Sequence, residues 1–246
     1  MNKKIRLDNL LVERNLAANV EKARALILAR KVKINDAFAD KAGLLVAADA
    51  PLQIMGGVNP YVSRGGLKLR GALDYFQLDV TGRIALDVGA STGGFTDCLL
   101  QAGAQRVIAL DVAYGQLAWK LREDKRVTVI ERTNIRYYDG AGFPEKPDLT
   151  AIDASFISLK VVIPPVLQLL TEKALLLALI KPQFEARREE IGPGGIVRDD
   201  AVHGRIVEEM AAFCRSLNLQ VEGTCPSPLL GPKGNAEFFI LAGKVD

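Results

Sequence analysis

Residues 84–96 read IALDVGASTGGFT. The first five form a short apolar strand pattern, and they run directly into Gly89-Ala90-Ser91-Thr92-Gly93-Gly94. A helical pattern opens from about Thr96. A strand–glycine loop–helix corner lets a ligand approach the main chain, because glycine has no Cβ to hold it away. The spacing is not G-x-G-x-x-G, which disfavours a dinucleotide, and no G-K-[ST] follows, which disfavours a Walker phosphate loop. Asp111 closes the next strand, 22 positions after Gly89, where an acid commonly accepts hydrogen bonds from ribose hydroxyls. The corner fits an adenosine ligand without a pyrophosphate.

On either side of this corner strands alternate with helices. A helix over 66–76 precedes it. Strand 106–111, helix 116–122, strands 127–131 and 149–153, helix 159–170 and strand 175–180 follow. Pro164 and Pro165 are expected to kink or split the sixth of these elements. A helix over 199–217 and strands 220–224 and 237–241 end the chain, the last two without a helix between them, so an antiparallel strand is expected at that edge. The pattern predicts an α/β fold with a mostly parallel seven-stranded sheet covered on both faces. Asp153 and Lys181 fall where two parallel strands end, and Glu237 where the reversed strand begins, so all three can face the crevice beside Gly89. Lys68 sits on the preceding helix and can close the group.

Residues 1–56 read differently. Ile5, Leu7, Leu10 and Leu11 give a helical spacing over 5–14, and Asn19 can cap a second helix that ends near Leu28. Short strands are expected at 32–34, 44–46 and 52–55, with Asn35-Asp36 as a turn. This is a small α+β domain, and the glycine- and proline-bearing stretch at 57–62 is its linker to a second domain at 63–246. Charge divides the chain in the same place. The first 50 residues carry ten Lys and Arg against six acids, or +4, whereas the other 196 carry 22 against 23, or −1. A polyanion-binding module joined to a near-neutral one is the implied design.

Composition narrows the class. Apolar residues are 49% and charged residues 25%, ordinary for a globular chain. No apolar run approaches the roughly 18 residues of a membrane span, and charges stand where a signal peptide needs apolar residues. Cys98, Cys214 and Cys225 are widely spaced and His203 is the sole histidine, so neither a zinc site nor a disulfide framework is expected. A reduced, cytoplasmic protein without a metal is the simplest reading.

Six stretches carry a specific resemblance: Asp87-Val-Gly-Ala-Ser-Thr-Gly-Gly-Phe-Thr, Tyr114-Gly-Gln-Leu-Ala-Trp, Glu131-Arg-Thr-Asn, Asp153-Ala-Ser-Phe-Ile-Ser-Leu, Lys181-Pro-Gln-Phe-Glu and Gly192-Pro-Gly-Gly. In this order, and over nearly the whole chain, they resemble the TlyA family of S-adenosylmethionine-dependent ribosomal RNA 2′-O-methyltransferases, often labelled haemolysins. The resemblance implies a Rossmann-like class I methyltransferase domain of the FtsJ type, preceded by a small RNA-binding domain of the ribosomal-protein type. It implies a Lys-Asp-Lys-Glu tetrad, offered here by Lys68, Asp153, Lys181 and Glu237. It implies cofactor contacts from Asp87, Gly89, Ala90, Ser91, Thr92, Gly93, Gly94, Asp111, Asn134 and Asp153. The ribosomal RNA, or a ribosomal subunit, is the implied partner, through Lys3, Lys4, Arg6, Lys22, Arg24 and Lys31 and through Arg64, Arg187 and Arg188. The resemblance points to cytidine, and the short C-terminus points to the form that acts on the large subunit only. Oligomeric state is left open.

The chemistry is a displacement in which a ribose 2′-oxygen attacks an activated methyl group, which needs no metal. Lys181 can either take the hydroxyl proton or stay charged and stabilise the developing alkoxide. Residues 183–198, with three arginines around Gly192-Pro193-Gly194-Gly195, read as a mobile phosphate-binding flap or as a solvated loop. Phe156 can pack under the cofactor, stack on a flipped base or belong to the core. Two other classes compete: a membrane-active haemolysin, which needs a spanning or strongly amphipathic segment, and a non-catalytic RNA-binding protein.

Overall fold

The computed structural model describes residues 4–35, 37–55 and 59–244. Lys3, Asp36 of the expected turn and residues 56–58 of the expected linker lie outside them. The chain forms two compact units, Met1–Pro60 and Tyr61–Asp246.

The first unit opens with strand β1 (Lys4–Arg6), not with a helix from residue 5. Ile5 is opposite Val46 in an antiparallel pair with β4 (Leu45–Ala47), and α1 (Leu7–Glu13) starts only afterwards. The helical spacing of Leu7, Leu10 and Leu11 survives as the buried face of α1. Helix α2 (Val20–Leu28) begins at the expected cap, where the Asn19 side chain accepts the Lys22 N–H at 2.9 Å. Strands β2 (Val32–Ile34), β3 (Ala37–Phe38) and β5 (Leu52–Ile54) make a separate sheet with β2 in the middle. Leu7, Leu11, Ala23, Ile27 and Val32 are its core.

The second unit begins with α3 (Arg64–Phe76), β6 (Ile84–Val88) and α4 (Gly94–Gln101). It continues through β7 (Arg106–Leu110), α5 (Trp119–Arg122), β8 (Val127–Ile130), β9 (Leu149–Ile152) and α6 (Leu159–Leu169). It ends with β10 (Leu175–Ile180), α7 (Pro182–Glu185), α8 (Asp200–Ser216), β11 (Leu219–Pro226) and β12 (Phe238–Lys244). The seven strands form one sheet in the order β11-β12-β10-β9-β6-β7-β8. It is parallel except for β12, which runs antiparallel to both β10 and β11. The reversed strand is therefore one position inside the edge, not at it. Chain order moves outward from β6 to β8 and then returns to β9 on the other side of β6, which makes β6/β9 the switch point where ligands of open α/β sheets bind.

Two local expectations change. Helix α5 is shorter than 116–122, because the Ala118 N–H bonds Thr92 O and the Gly115 N–H bonds the Glu131 carboxylate, holding the preceding segment against its neighbours. Helix α6 is a single helix despite Pro164 and Pro165. The carbonyls that lose a partner belong to Lys160 and Val161, both exposed, so water can take the place of the missing N–H.

Candidate active site

Strand periodicity builds the site. Ala85, Ala109, Ala151, Leu179 and Phe239 all face the core layer that contains Leu69, Leu73 and Phe95 of α3 and α4. Two residues further along each strand, or two before on reversed β12, stand Asp87, Asp111, Asp153, Lys181 and Glu237, all on that face. The register gathers them at one edge: Val88 pairs with both Leu110 and Ile152, and Ile180 with Phe238. Helix α3 covers the same face and brings Lys68, one position before buried Leu69.

The loop turns through left-handed conformations at Gly89 (φ 85°), Ser91 (φ 49°) and Gly93 (φ 95°). The Gly89 and Ala90 N–H groups share Leu110 O, and the Gly93 N–H bonds Ala90 O. A Cβ on Gly89 would lie 2.7 Å from Asp153 O, and one on Gly93 2.2 Å from a Leu121 methyl. Only glycine fits either place. Asp111 stiffens the turn by accepting the Ser91 N–H and the Ala113 N–H, each at 2.7 Å. A cavity of about 690 Å³ opens here, lined by Gly89, Asp111, Asn134, Asp153 and Phe156. A second, of about 350 Å³, is lined by Arg64, Lys68, Thr92, Gly94 and Gly231, and shares Gly89, Ser91 and Asp153 with the first.

The four candidate catalytic residues form two ion pairs. Lys68 Nζ lies 2.5 Å from Glu237 Oε2, and Lys181 Nζ lies 2.6 Å from Asp153 Oδ1. Lys68 is 8% exposed, Lys181 7% and Glu237 2%. Lysines are almost never buried unless paired, so each carboxylate fixes a cation that would otherwise be costly to bury. Gly231 is part of the first pair, since a Cβ there would meet Glu237 Oε1 at 2.0 Å. Lys181 also donates to Ser155 Oγ at 2.8 Å. Neither Gly231 nor Ser155 stands out in the sequence. Gly231 has no motif, and Ser155 is one hydroxyl inside a longer stretch.

Asp87 is placed behind the loop and lines neither cavity. It is fully buried and accepts a 2.6 Å bond from Thr96 Oγ1. Burial pushes its carboxyl up to about 7; the Thr96 bond opposes the rise, and the charges of Asp153 and Asp111 add to it. Phe156 does not belong to the core: it is 90% exposed, adopts φ 62°, unusual for a bulky residue, and lies 5.2 Å from the Phe184 ring.

Residues 183–198 are fastened in several places. Buried Asn235 accepts the Val197 N–H and donates to Gly195 O, each at 3.0 Å, while Arg205 holds Glu190 through two hydrogen bonds. Arg187 and Arg188 are exposed, and Arg64 donates to Leu230 O beside the smaller cavity. In the first unit Lys4, Arg6, Lys22, Arg24 and Lys31 are exposed, although Arg6 and Arg24 also contact Asp8. The three cysteines are buried and unbridged. Among the described residues no cluster of three or more metal-ligating side chains occurs, and no helix is long and apolar enough to cross a membrane.

Comparison with known proteins places these features in a family setting. The profile of FtsJ-like methyltransferases matches residues 61–244, and that of the S4 domain matches residues 5–50. The chain is 43% identical to the 16S/23S rRNA (cytidine-2′-O)-methyltransferase TlyA of Mycobacterium tuberculosis over 241 residues, 98% of this chain and 90% of that protein. A solved structure from Streptococcus thermophilus, described as a hemolysin, is 41% identical with a TM-score of 0.78, covering 100% of this chain and 90% of its own. A SAM-dependent methyltransferase from Aquifex aeolicus shares the fold, with 18% identity and a TM-score of 0.52 over 75% of this chain and 95% of its own.

Proposed function

Since the chain belongs to the TlyA family of FtsJ-like methyltransferases and carries an S4 domain, we propose that it transfers a methyl group from S-adenosylmethionine to a ribose 2′-hydroxyl of ribosomal RNA. The proposed nucleotide is a cytidine of the large subunit, and the proposed setting is the cytoplasm. The observation that carries this reading is the pairing of two buried lysines with two carboxylates, one member of each pair, Lys68 and Asp153, lining the cavity beside Gly89.

The residues around Gly89 fit the cofactor. The glycine cradle leaves room that a Cβ would fill, and the larger cavity brings Gly89, Asp111, Asn134 and Asp153 to one space. Asp111 is the proposed acceptor for ribose hydroxyls, with one backbone N–H already on each of its oxygens to keep it in place. Asp87 acts from behind the loop. When bound, the cofactor supplies a sulfonium-activated methyl group. The protein's task is to align the 2′-oxygen, exclude water and deal with the hydroxyl proton at Lys181 Nζ. Lys181 either accepts that proton or stabilises the developing negative oxygen. Asp153 and Glu237 hold the two lysines. Exposed Phe156, at the rim of the larger cavity, offers a flat face for the target base.

The division of labour follows the expected boundaries at 1–56, 57–62 and 63–246. Lys3, Lys4, Arg6, Lys22, Arg24 and Lys31 anchor the RNA electrostatically, and Arg64, Arg187 and Arg188 add contacts from the catalytic unit. A calorimetric titration with S-adenosylmethionine, followed by a transfer assay on ribosomal RNA, tests the proposal. Binding with transfer supports it. Absence of heat at millimolar cofactor contradicts it and favours the haemolysin or non-catalytic reading.

A further inference from the structure

Residues 153–159, between β9 and the first turn of α6, are latched to residues 181–185 at three successive points. Asp153 and Ser155 meet Lys181, Phe156 meets Phe184, and the Ser158 hydroxyl and Leu159 N–H both bond the Glu185 carboxylate, at 2.6 and 2.7 Å. The second and third latches have evident structural work. Ser158 is the N-cap of α6, accepting the Lys160 N–H, and the aromatic pair supports the strained turn at Phe156.

Ser155 has no such duty. It is not the cap of α6, it is exposed, and the bond its hydroxyl makes is to Lys181 Nζ. A lysine ammonium has three donors on a rotating end. Asp153 Oδ1 balances its charge from 2.6 Å but makes no hydrogen bond to it, so the pair leaves rotation about Cε–Nζ open. The Ser155 hydroxyl, a hydrogen-bond acceptor 2.8 Å away on the same loop, fixes it.

We propose that Ser155 is a positioning residue for the methyl transfer: while Asp153 balances the charge of Lys181, the Ser155 hydroxyl locks the rotation of its amine, so that one N–H direction, or the lone pair that replaces it on deprotonation, is aimed at the substrate hydroxyl. The proposal rests on the methyltransferase reading for its consequence in rate. The lock itself is a property of the free protein. Methyl transfer depends steeply on the alignment of reacting groups, so a loose amine slows the step without weakening the binding of either substrate.

Two measurements on the full-length protein test this. In single-turnover methyl transfer at saturating cofactor, Ser155→Ala is expected to lower the rate about tenfold, equivalent to about 1.4 kcal/mol of barrier. RNA KM and cofactor Kd stay within about twofold, and Ser155→Thr, which keeps a hydroxyl, recovers most of the rate. In spectra of protein carrying 13Cε-labelled lysine, without RNA, the Lys181 signal is assigned by its loss in Lys181→Arg. It is expected to shift and narrow in Ser155→Ala and to stay in place in Ser155→Thr. An unchanged Lys181 signal in Ser155→Ala overturns the lock. A shifted signal with an unchanged rate overturns its role in transfer, as does a rate loss that Ser155→Thr does not recover. Wild-type protein that transfers no methyl group refutes the function reading, while the Lys181 signal still decides whether the lock exists.

Discussion

Two regions of the chain bury a carboxylate completely and treat it in opposite ways. In the N-terminal unit Asp8 accepts two hydrogen bonds from Arg6 and one from Arg24, and the Arg6 guanidinium draws its carboxyl down to about 2. Around Gly89, Asp87 accepts from the uncharged hydroxyl and backbone N–H of Thr96, and burial raises its carboxyl to about 7. The difference lies in where the cations are. The N-terminal unit keeps its guanidiniums exposed over the acid, so the same side chains neutralise Asp8 and face an outside polyanion. The C-terminal unit buries its cations at the sheet edge, each held by its own carboxylate, and leaves Asp87 uncompensated behind a loop that also holds Asp111. A cleft with surplus negative charge beside two fixed lysines suits a cationic cofactor and a nucleophile that must lose a proton.

The sharpest way to break that contrast is to remove a buried cation. Lys181→Ala is expected to keep the fold and cofactor affinity while single-turnover transfer falls at least about a hundredfold. Near-normal rates would assign Lys181 to structure alone. A smaller loss in Lys181→Arg would favour electrostatic stabilisation over proton abstraction. Next is Asp111→Ala, which removes a charged acceptor and is expected to weaken cofactor binding by about 1.5–3 kcal/mol in calorimetry. Unchanged affinity in the folded variant would place the ribose elsewhere.

The polyanion side of the contrast has a smaller expected effect. A protein beginning at Asn59 keeps Gly89, Asp111 and Asp153 and is expected to bind cofactor. It should bind ribosomal RNA roughly tenfold more weakly, with a shallower salt dependence, because fewer counterions are released. Full affinity and an unchanged salt slope would transfer the anchor to Arg64, Arg187, Arg188 and Arg198.

The smallest effect is a pair of opposite pH slopes in stability. Asp8 is depressed when folded, so its contribution is complete above its ordinary value near 3.8 and is lost as pH falls toward about 2. Asp87 is raised, so at acid pH it carries no ionisation cost, and that cost grows as pH climbs from about 3.8 to about 7. Thermal melts across this range should show Asp8→Asn removing part of the acid limb and Asp87→Asn flattening the decline toward neutrality. Identical profiles for the two variants would show that the local environments do not differ as described.

Much of this was legible in the sequence, for reasons that particular residues make clear. Asp111, Asp153 and Lys181 each stand where a parallel strand ends, and the ends of such strands open on one crevice, so their gathering followed from the strand–helix alternation. Glu237 followed once the last strand was read as reversed. The pairing within the group was not legible. Register sets Lys181 near Glu237, yet Lys181 pairs with Asp153 and Glu237 with Lys68, a choice made by helix α3 lying over that face. The start of the chain was misread because Ile5 continues the apolar spacing of α1, and only its pairing with Val46 reveals a strand. Phe156 was equally opaque, since its exposure follows from a left-handed turn that no residue preference announces.

The most direct test of the central claim follows the methyl group itself. Purified protein, cofactor labelled in its methyl group and large ribosomal subunits are incubated together, and the RNA is digested to nucleosides and separated. The account predicts label in 2′-O-methylcytidine, abolished by Lys181→Ala. Label on a base, or none in RNA from protein that binds cofactor, would contradict it.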